Sequence, residues 1–182
     1  MSALPGFERP VSAPDVRWTE RRVLDALIRR YGQRYGNGYR WAYAEHVRSG
    51  PGFIDGKRIA DAIAFDCWES KGLEIHGHEV KVSRSDWLTE LKSPEKAEAF
   101  RPYVDRWWLV VPDRNIVRDD LPKGWGLMLA NVDGSTRVVR QAPRLSPKPM
   151  PKGMSACLMR ATAATAIART ALVMDPTHQE TR

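Results

Sequence analysis

Arg58-Ile59-Ala60-Asp61-Ala62-Ile63-Ala64-Phe65-Asp66 is followed by a polar break, Glu69-Ser70-Lys71-Gly72, and then by Leu73-Glu74-Ile75-His76-Gly77-His78-Glu79-Val80-Lys81-Val82-Ser83. Two apolar runs joined by a Gly-containing break read as a β-hairpin. The first run carries a lone acid, Asp61, inside an Ala/Ile stretch. Burying an unpaired carboxylate is costly, so this acid calls for a partner or a task. The second run places Glu79 and Lys81 two residues apart, which on a strand sends both side chains to one face.

Directly opposed residues of an antiparallel pair also share a face. A loop of Ser70-Lys71-Gly72 sets Glu69 opposite Leu73, so that Asp61 faces Lys81 with Glu79 on the diagonal. Diagonal neighbours lie roughly 7–8 Å apart, within reach of long side chains. A tighter Lys71-Gly72 turn would point Asp61 away and bring Asp66 beside Glu79. The register therefore decides which aspartate matters, and Asp61 is favoured because Asp66 lies nearer the turn. Asp61, Glu79 and the main-chain carbonyl of Val80 are hard oxygen ligands suited to Mg²⁺ or Mn²⁺. A divalent cation acidifies a bound water, which then attacks a phosphodiester. Lys81 can orient that water and offset charge on the phosphorane.

Outward from the hairpin, Val23, Leu24, Leu27 and Ile28 form a helical stripe ending near Tyr31-Gly32. Residues 35–39 are turn-like, and Arg40 to Val47 reads as a short strand. Residues 84–100 read as helix with an apolar stripe of Trp87, Leu88 and Leu91, interrupted at Pro94. Arg106-Trp107-Trp108-Leu109-Val110-Val111-Pro112 is continuously apolar after its first residue, the mark of a central strand buried on both faces. Gly126 to Val132 and Thr136 to Arg140 form a second hairpin about Asp133-Gly134. A Pro/Lys segment over 142–153 leads to a closing helix over Ser155 to Val173. This order implies an α/β fold, a mixed β-sheet flanked by helices. Residues 1–15 and 175–182 are expected to be flexible, around a single domain over 16–174.

The length of 182 residues suits one domain with a full core. A net charge of +7 favours an acidic partner, nucleic acid ahead of a membrane surface, although a basic surface also serves solubility. Cys67 and Cys157 stand far apart with no Cys-x-x-Cys, which argues against a zinc ribbon or a thioredoxin-like site and for free thiols in a reducing compartment. The N-terminus lacks the apolar core of a signal peptide. No run approaches the roughly 18 apolar residues of a membrane span. A cytoplasmic protein without membrane contact is expected.

The hairpin pattern resembles the PD-(D/E)xK nuclease superfamily, with Asp61 as the motif aspartate and Glu79-Val80-Lys81 as the Glu-x-Lys. More narrowly, the chain resembles the MmcB-like DNA-repair protein family. The likeness is carried by Arg58-Ile59-Ala60-Asp61, by Glu79-Val80-Lys81-Val82-Ser83 with Asp86, by Pro94, and by Tyr103-Val104-Asp105-Arg106 before Val110-Val111-Pro112. It continues through Leu121-Pro122, Gly126-Leu127-Met128-Leu129-Ala130 and Val138-Val139-Arg140-Gln141-Ala142-Pro143, covering roughly residues 17–173. It implies a restriction-endonuclease-like fold, a Mg²⁺ or Mn²⁺ site and action on DNA, so that a DNA nuclease acting in repair or recombination is expected. It also implies an additional metal-ligating acid, for which Glu45 is the fitting residue, and it admits a homodimer or a repair-protein partner. The proline of the superfamily motif is absent, since Ile59-Ala60 precedes Asp61. The Gln-x-x-x-Tyr element of the exonuclease-like branch is missing as well. The alternative is a non-catalytic DNA-binding partner in a repair complex, or a basic adaptor whose acids only form salt bridges.

Several residues near the hairpin suit a phosphate backbone: Arg58, Ser83, Arg84, Lys92 and Lys96. Ser83 is equally suited to capping the helix as Ser83-x-x-Asp86. His76 and His78 share a strand face opposite Glu79 and Lys81, and lack the further ligands of a zinc site. Trp107-Trp108 reads as core. Trp41 and Tyr43 are candidates for stacking on unpaired bases.

Overall fold

The computed structural model describes residues 17–36, 38–52 and 58–173, with side chains to residue 170. The flexible segments expected over 1–15 and 175–182 lie outside the described residues.

Helix α1 spans Glu20–Tyr31 and starts where Thr19 Oγ1 accepts the Arg22 N–H at 3.3 Å. Its stripe of Val23, Leu24, Leu27 and Ile28 is buried, joined by Ala26 and Tyr31. Two short strands follow, β1 (Arg34–Tyr35) and β2 (Gly38–Tyr39), which form a separate two-stranded pair among the described residues. The main elements are then β3 (Trp41–Arg48), β4 (Ile59–Asp66), β5 (Ile75–Val80), α2 (Arg84–Leu91), α3 (Glu95–Glu98), β6 (Arg106–Val111), β7 (Trp125–Ala130), β8 (Thr136–Arg140) and α4 (Lys152–Val173). Strands β3 to β8 form one mixed sheet in chain order, parallel at β5–β6–β7 and antiparallel elsewhere. The protein is an α/β fold with a six-stranded mixed sheet flanked by helices. No helix among the described residues is long and apolar enough to cross a membrane.

The two faces of β6 explain its unbroken apolar sequence. Trp107, Leu109 and Val111 enter one core with Ile63, Trp87, Phe100 and Trp125, while Trp108 and Val110 enter the other with the buried face of α1. Both tryptophans lie across glycines of the neighbouring strands. A Cβ on Gly77 would come within 2.3 Å of the Trp107 ring, and one on Gly126 within 2.4 Å of the Trp108 ring. These glycines are the clearance the large rings need.

Two expectations need correction. The β4–β5 connection is not a three-residue loop. The Asp66 N–H still bonds the Glu74 carbonyl at 2.9 Å, so Cys67 to Leu73 forms the loop, with a 3₁₀ turn at Glu69–Lys71 and Gly72 at φ 90°. The register becomes Ala62 opposite His78 and Phe65 opposite Ile75. On α2, Leu88 is 41% exposed, whereas Trp87 and Glu90 are buried. Residues three apart share a helix face and adjacent ones do not.

Candidate functional site

The β4–β5 register, continued by one residue, sets Asp61 opposite Glu79 rather than Lys81. The shift from the expected pairing is an even number of residues, so Asp61 and Glu79 occupy the same sheet face. Asp61 Oδ2 accepts the Val80 N–H at 2.7 Å, which ties the acid to the strand carrying Glu79. Glu79 is 1% exposed, and its Oε1 accepts hydrogen bonds from Lys96 Nζ at 2.7 Å and from Lys81 Nζ. Glu90 Oε2 from α2 lies 3.1 Å from Lys81 Nζ and 3.3 Å from Lys96 Nζ. Strand β4, the end of β5 and the two helical pieces after it thus bring together three acids and two lysines.

The electrostatics of the cluster are strained on the acidic side. Burial, then the Asp61 carboxylate, push the Glu79 carboxyl up to about 8, against the pull of Lys81 and with a further push from Glu90. Burial also works to raise Glu90, but the hydrogen bond with Glu79 and the Lys81 and Lys96 ammoniums outweigh it, leaving Glu90 below the usual carboxylate range. Burial disfavours both ammoniums; Glu79 nevertheless holds Lys81 and Lys96 above the ordinary lysine value. Glu79 Oε2 and Glu90 Oε1 are buried and receive no donor from the protein. A proton on Glu79 donated to Glu90 satisfies such a pair of acceptors; a cation is the other species that does so.

Does this donor set fit a divalent metal? Among the described residues, no three His, Cys, Asp or Glu side chains are grouped to hold a metal ion. An all-protein cage is therefore not formed. Mg²⁺ is commonly held by one or two carboxylates, with water and substrate phosphate completing its shell. Asp61, Glu79 with its donor-less Oε2, and the Val80 carbonyl fit that mode of binding.

The other candidates fall elsewhere. Glu45 is not in this cluster: it pairs with Ala62 across β3–β4, so its side chain takes the sheet face opposite to Asp61. There it is clamped by Arg21 at 2.9 Å and Arg169 at 2.9 Å, and its N–H bonds Thr165 Oγ1. Glu45 is therefore not a ligand of the Asp61–Glu79 cluster. Asp66 is equally remote in function, forked by the Arg40 guanidinium at 3.0–3.1 Å from Nε and capping the Trp68 N–H. Arg58 meets Glu95 at 3.3 Å, and Arg84 pairs with Asp120 and donates to the Ile116 carbonyl at 2.9 Å. Ser83 caps α2 by accepting the Asp86 N–H at 3.2 Å. Lys92 is at the end of α2.

Lys96, expected to face phosphates, is instead drawn into the acid cluster. His78 is buried against Tyr31, Nε2 to hydroxyl 2.9 Å, and His76 bonds Glu74, so the two do not converge on one ligand. Tyr43 is buried beneath Tyr31, and the half-buried Trp41 edges onto the same ring, which takes Tyr43 away from solvent-borne bases. Glu90 is the residue the sequence reading missed. Its signal was its position three after Trp87, on the face that α2 buries.

Neither a protein-family model nor a curated protein matches the chain. A solved structure does resemble it: SPO1766, a protein of unknown function from Silicibacter pomeroyi, with 22% sequence identity and a TM-score of 0.56. The match covers 89% of this chain and 94% of that one. At this identity the likeness establishes a shared fold over nearly the whole of both chains.

Proposed function

We propose that this protein is a divalent-metal-dependent deoxyribonuclease of the restriction-endonuclease-like type, cytoplasmic and acting in DNA repair or recombination. The observation that carries the reading is the meeting of Asp61, Glu79 and Lys81 on one sheet face around a buried, donor-less carboxylate oxygen. When bound, Mg²⁺ or Mn²⁺ supplies Lewis-acid activation of water and of a phosphoryl oxygen. Asp61 and Glu79 would provide the anionic oxygens that hold it. The Val80 N–H fixes the Asp61 carboxylate in place. Lys81, on the same sheet face as Glu79 and 3.1 Å from Glu90 Oε2, would orient the nucleophilic water and meet charge on the scissile phosphate. Glu90 retains Lys96 and so keeps the cluster close to neutral.

The test is a cleavage assay on single-stranded, double-stranded and branched DNA with Mg²⁺, Mn²⁺ or EDTA. Cleavage that requires a metal and is lost in Asp61→Asn supports the reading; intact DNA under every condition defeats it. One observation favours a second reading, a non-catalytic DNA-binding partner of a repair complex. Lys81 and Lys96 already bridge Glu79 and Glu90, an ion-paired network that forms without a metal. Salt-dependent DNA binding in EDTA without cleavage in either metal selects that reading.

A further inference from the structure

On the sheet face opposite the acid cluster, a cavity of about 570 Å³ runs along α1 and under the turn that joins β7 to β8. Arg17, Arg21, Arg22 and Arg29 line one side, and Asn131 to Gly134 the other. Arg21 is spoken for by Glu45 at 2.9 Å, and Asp25 by Arg169 at 2.7 Å. Arg17, Arg22 and Arg29 have no carboxylate partner among the described residues. Arg22 instead lies over the Trp18 ring at 5.2 Å, and Arg29 packs on Gly134 with its Nε buried and without an acceptor. Asp133, the remaining acid of the lining, turns its carboxylate to the Ser135 N–H at 2.8 Å.

Strands β3, β5, β6 and β7 all run in one direction. The turn after β7 is therefore at the same end of the sheet as Val80, and with it the Asp61–Glu79 pair. The groove and the acid cluster flank one rim of the sheet from its two faces. Arg22 and Arg29 are seven residues apart on a helix, roughly 10 Å along its axis. Phosphates of one strand recur about every 3.4 Å of helical rise. An elongated row of guanidiniums at this spacing matches a run of backbone phosphates better than a single small anion. Guanidinium is also the group best shaped for bidentate phosphate contact.

We infer that this arginine groove is a nucleic-acid backbone site, and that DNA engaged at the acid cluster continues over the rim into it. The choice of DNA rests on the nuclease reading above; the anionic preference rests on the groove alone. The test uses the full chain in EDTA, with binding of a short labelled DNA followed by anisotropy between about 50 and 200 mM salt. The double variant Arg17→Gln/Arg22→Gln should weaken binding ~10-fold at the lower salt and lower the slope of log affinity against log salt by about 2. A charge-matched control, Lys123→Gln/Lys148→Gln, removes lysines near the opposite end of the sheet and should cost less than about 2-fold. Equal losses in the two doubles, or none in the arginine double, overturn the inference. A thermal shift by pyrophosphate that the arginine double abolishes while DNA binding stays unchanged would assign the groove to a free anion, and also overturns it. Parent protein that binds DNA through the groove but never cleaves it sinks the nuclease reading and leaves the groove standing.

Discussion

Replacing Glu79 by glutamine should make the protein more stable at neutral and alkaline pH and, on the proposed metal-dependent reading, remove its response to Mg²⁺. Glu79 is 1% exposed, and burial with Asp61 and Glu90 nearby holds its carboxyl at about 8, against an ordinary value of 4.5. The folded state thus binds a proton more tightly than the unfolded chain. For such a group the stability contribution is fully present below the unfolded value and is lost as pH rises toward the folded one. At 1.36 kcal/mol per pH unit, the interval from 4.5 to about 8 corresponds to a loss on the order of 5 kcal/mol. The glutamine of E79Q carries no titrating proton and can donate an amide N–H to Glu90, as protonated Glu79 does. Urea unfolding of parent and E79Q at intervals from pH 5 to pH 9 should give stabilities that diverge steadily up to about pH 8 and run parallel above it. Added Mg²⁺ should raise the thermal midpoint of the parent, more at pH 8 than at pH 6, because the metal must displace the Glu79 proton. It should leave E79Q unmoved. A constant stability difference across this pH range would refute the assignment of a protonated, strained Glu79; an equal Mg²⁺ shift in both proteins would refute its role as a ligand.

On the proposed nuclease reading, Asp61→Asn and Lys81→Ala should both abolish cleavage but differ in their response to metal. Excess Mn²⁺ partly restores the first, which has lost ligand charge, and not the second, which has lost a transition-state contact; identical metal titrations would erase the distinction. Glu45→Ala should leave the proposed cleavage intact and lower stability by roughly 3 kcal/mol, because Arg169 is left buried beside Asp25 alone; a dead but fully stable variant would return Glu45 to the proposed metal site. Gly77→Ala should cost about 1–3 kcal/mol in denaturant unfolding, since its Cβ would press on the Trp107 ring at 2.3 Å; unaltered stability would contradict the packing of that ring.

The local arithmetic of the chain determined a good deal. Period-two alternation put Glu79 and Lys81 on one face, and the apolar run over 107–111 marked a strand covered on both sides before its neighbours were known. The 23/24/27/28 spacing fixed the buried face of α1. These features depend on backbone geometry within one element, which the sequence carries directly.

What the sequence did not carry is which faces meet. The turn residues Ser70-Lys71-Gly72 fit a tight loop locally, yet the pairing extends only to Asp66 and Glu74, and Asp61 moves from Lys81 to Glu79. Glu45 looked suitable by type and proximity, but its pairing with Ala62 assigned it to the opposite face, where Arg21 and Arg169 wait for it. Glu90 entered the site only because α2 folds back with its Trp87 face inward, and Lys96 followed through the break at Pro94. The arginine groove needed α1 to lie beside a turn more than a hundred residues away. Such meetings depend on register and on packing between distant segments, so a charge or carboxylate acquires its partner, and with it its chemistry, only in the tertiary structure.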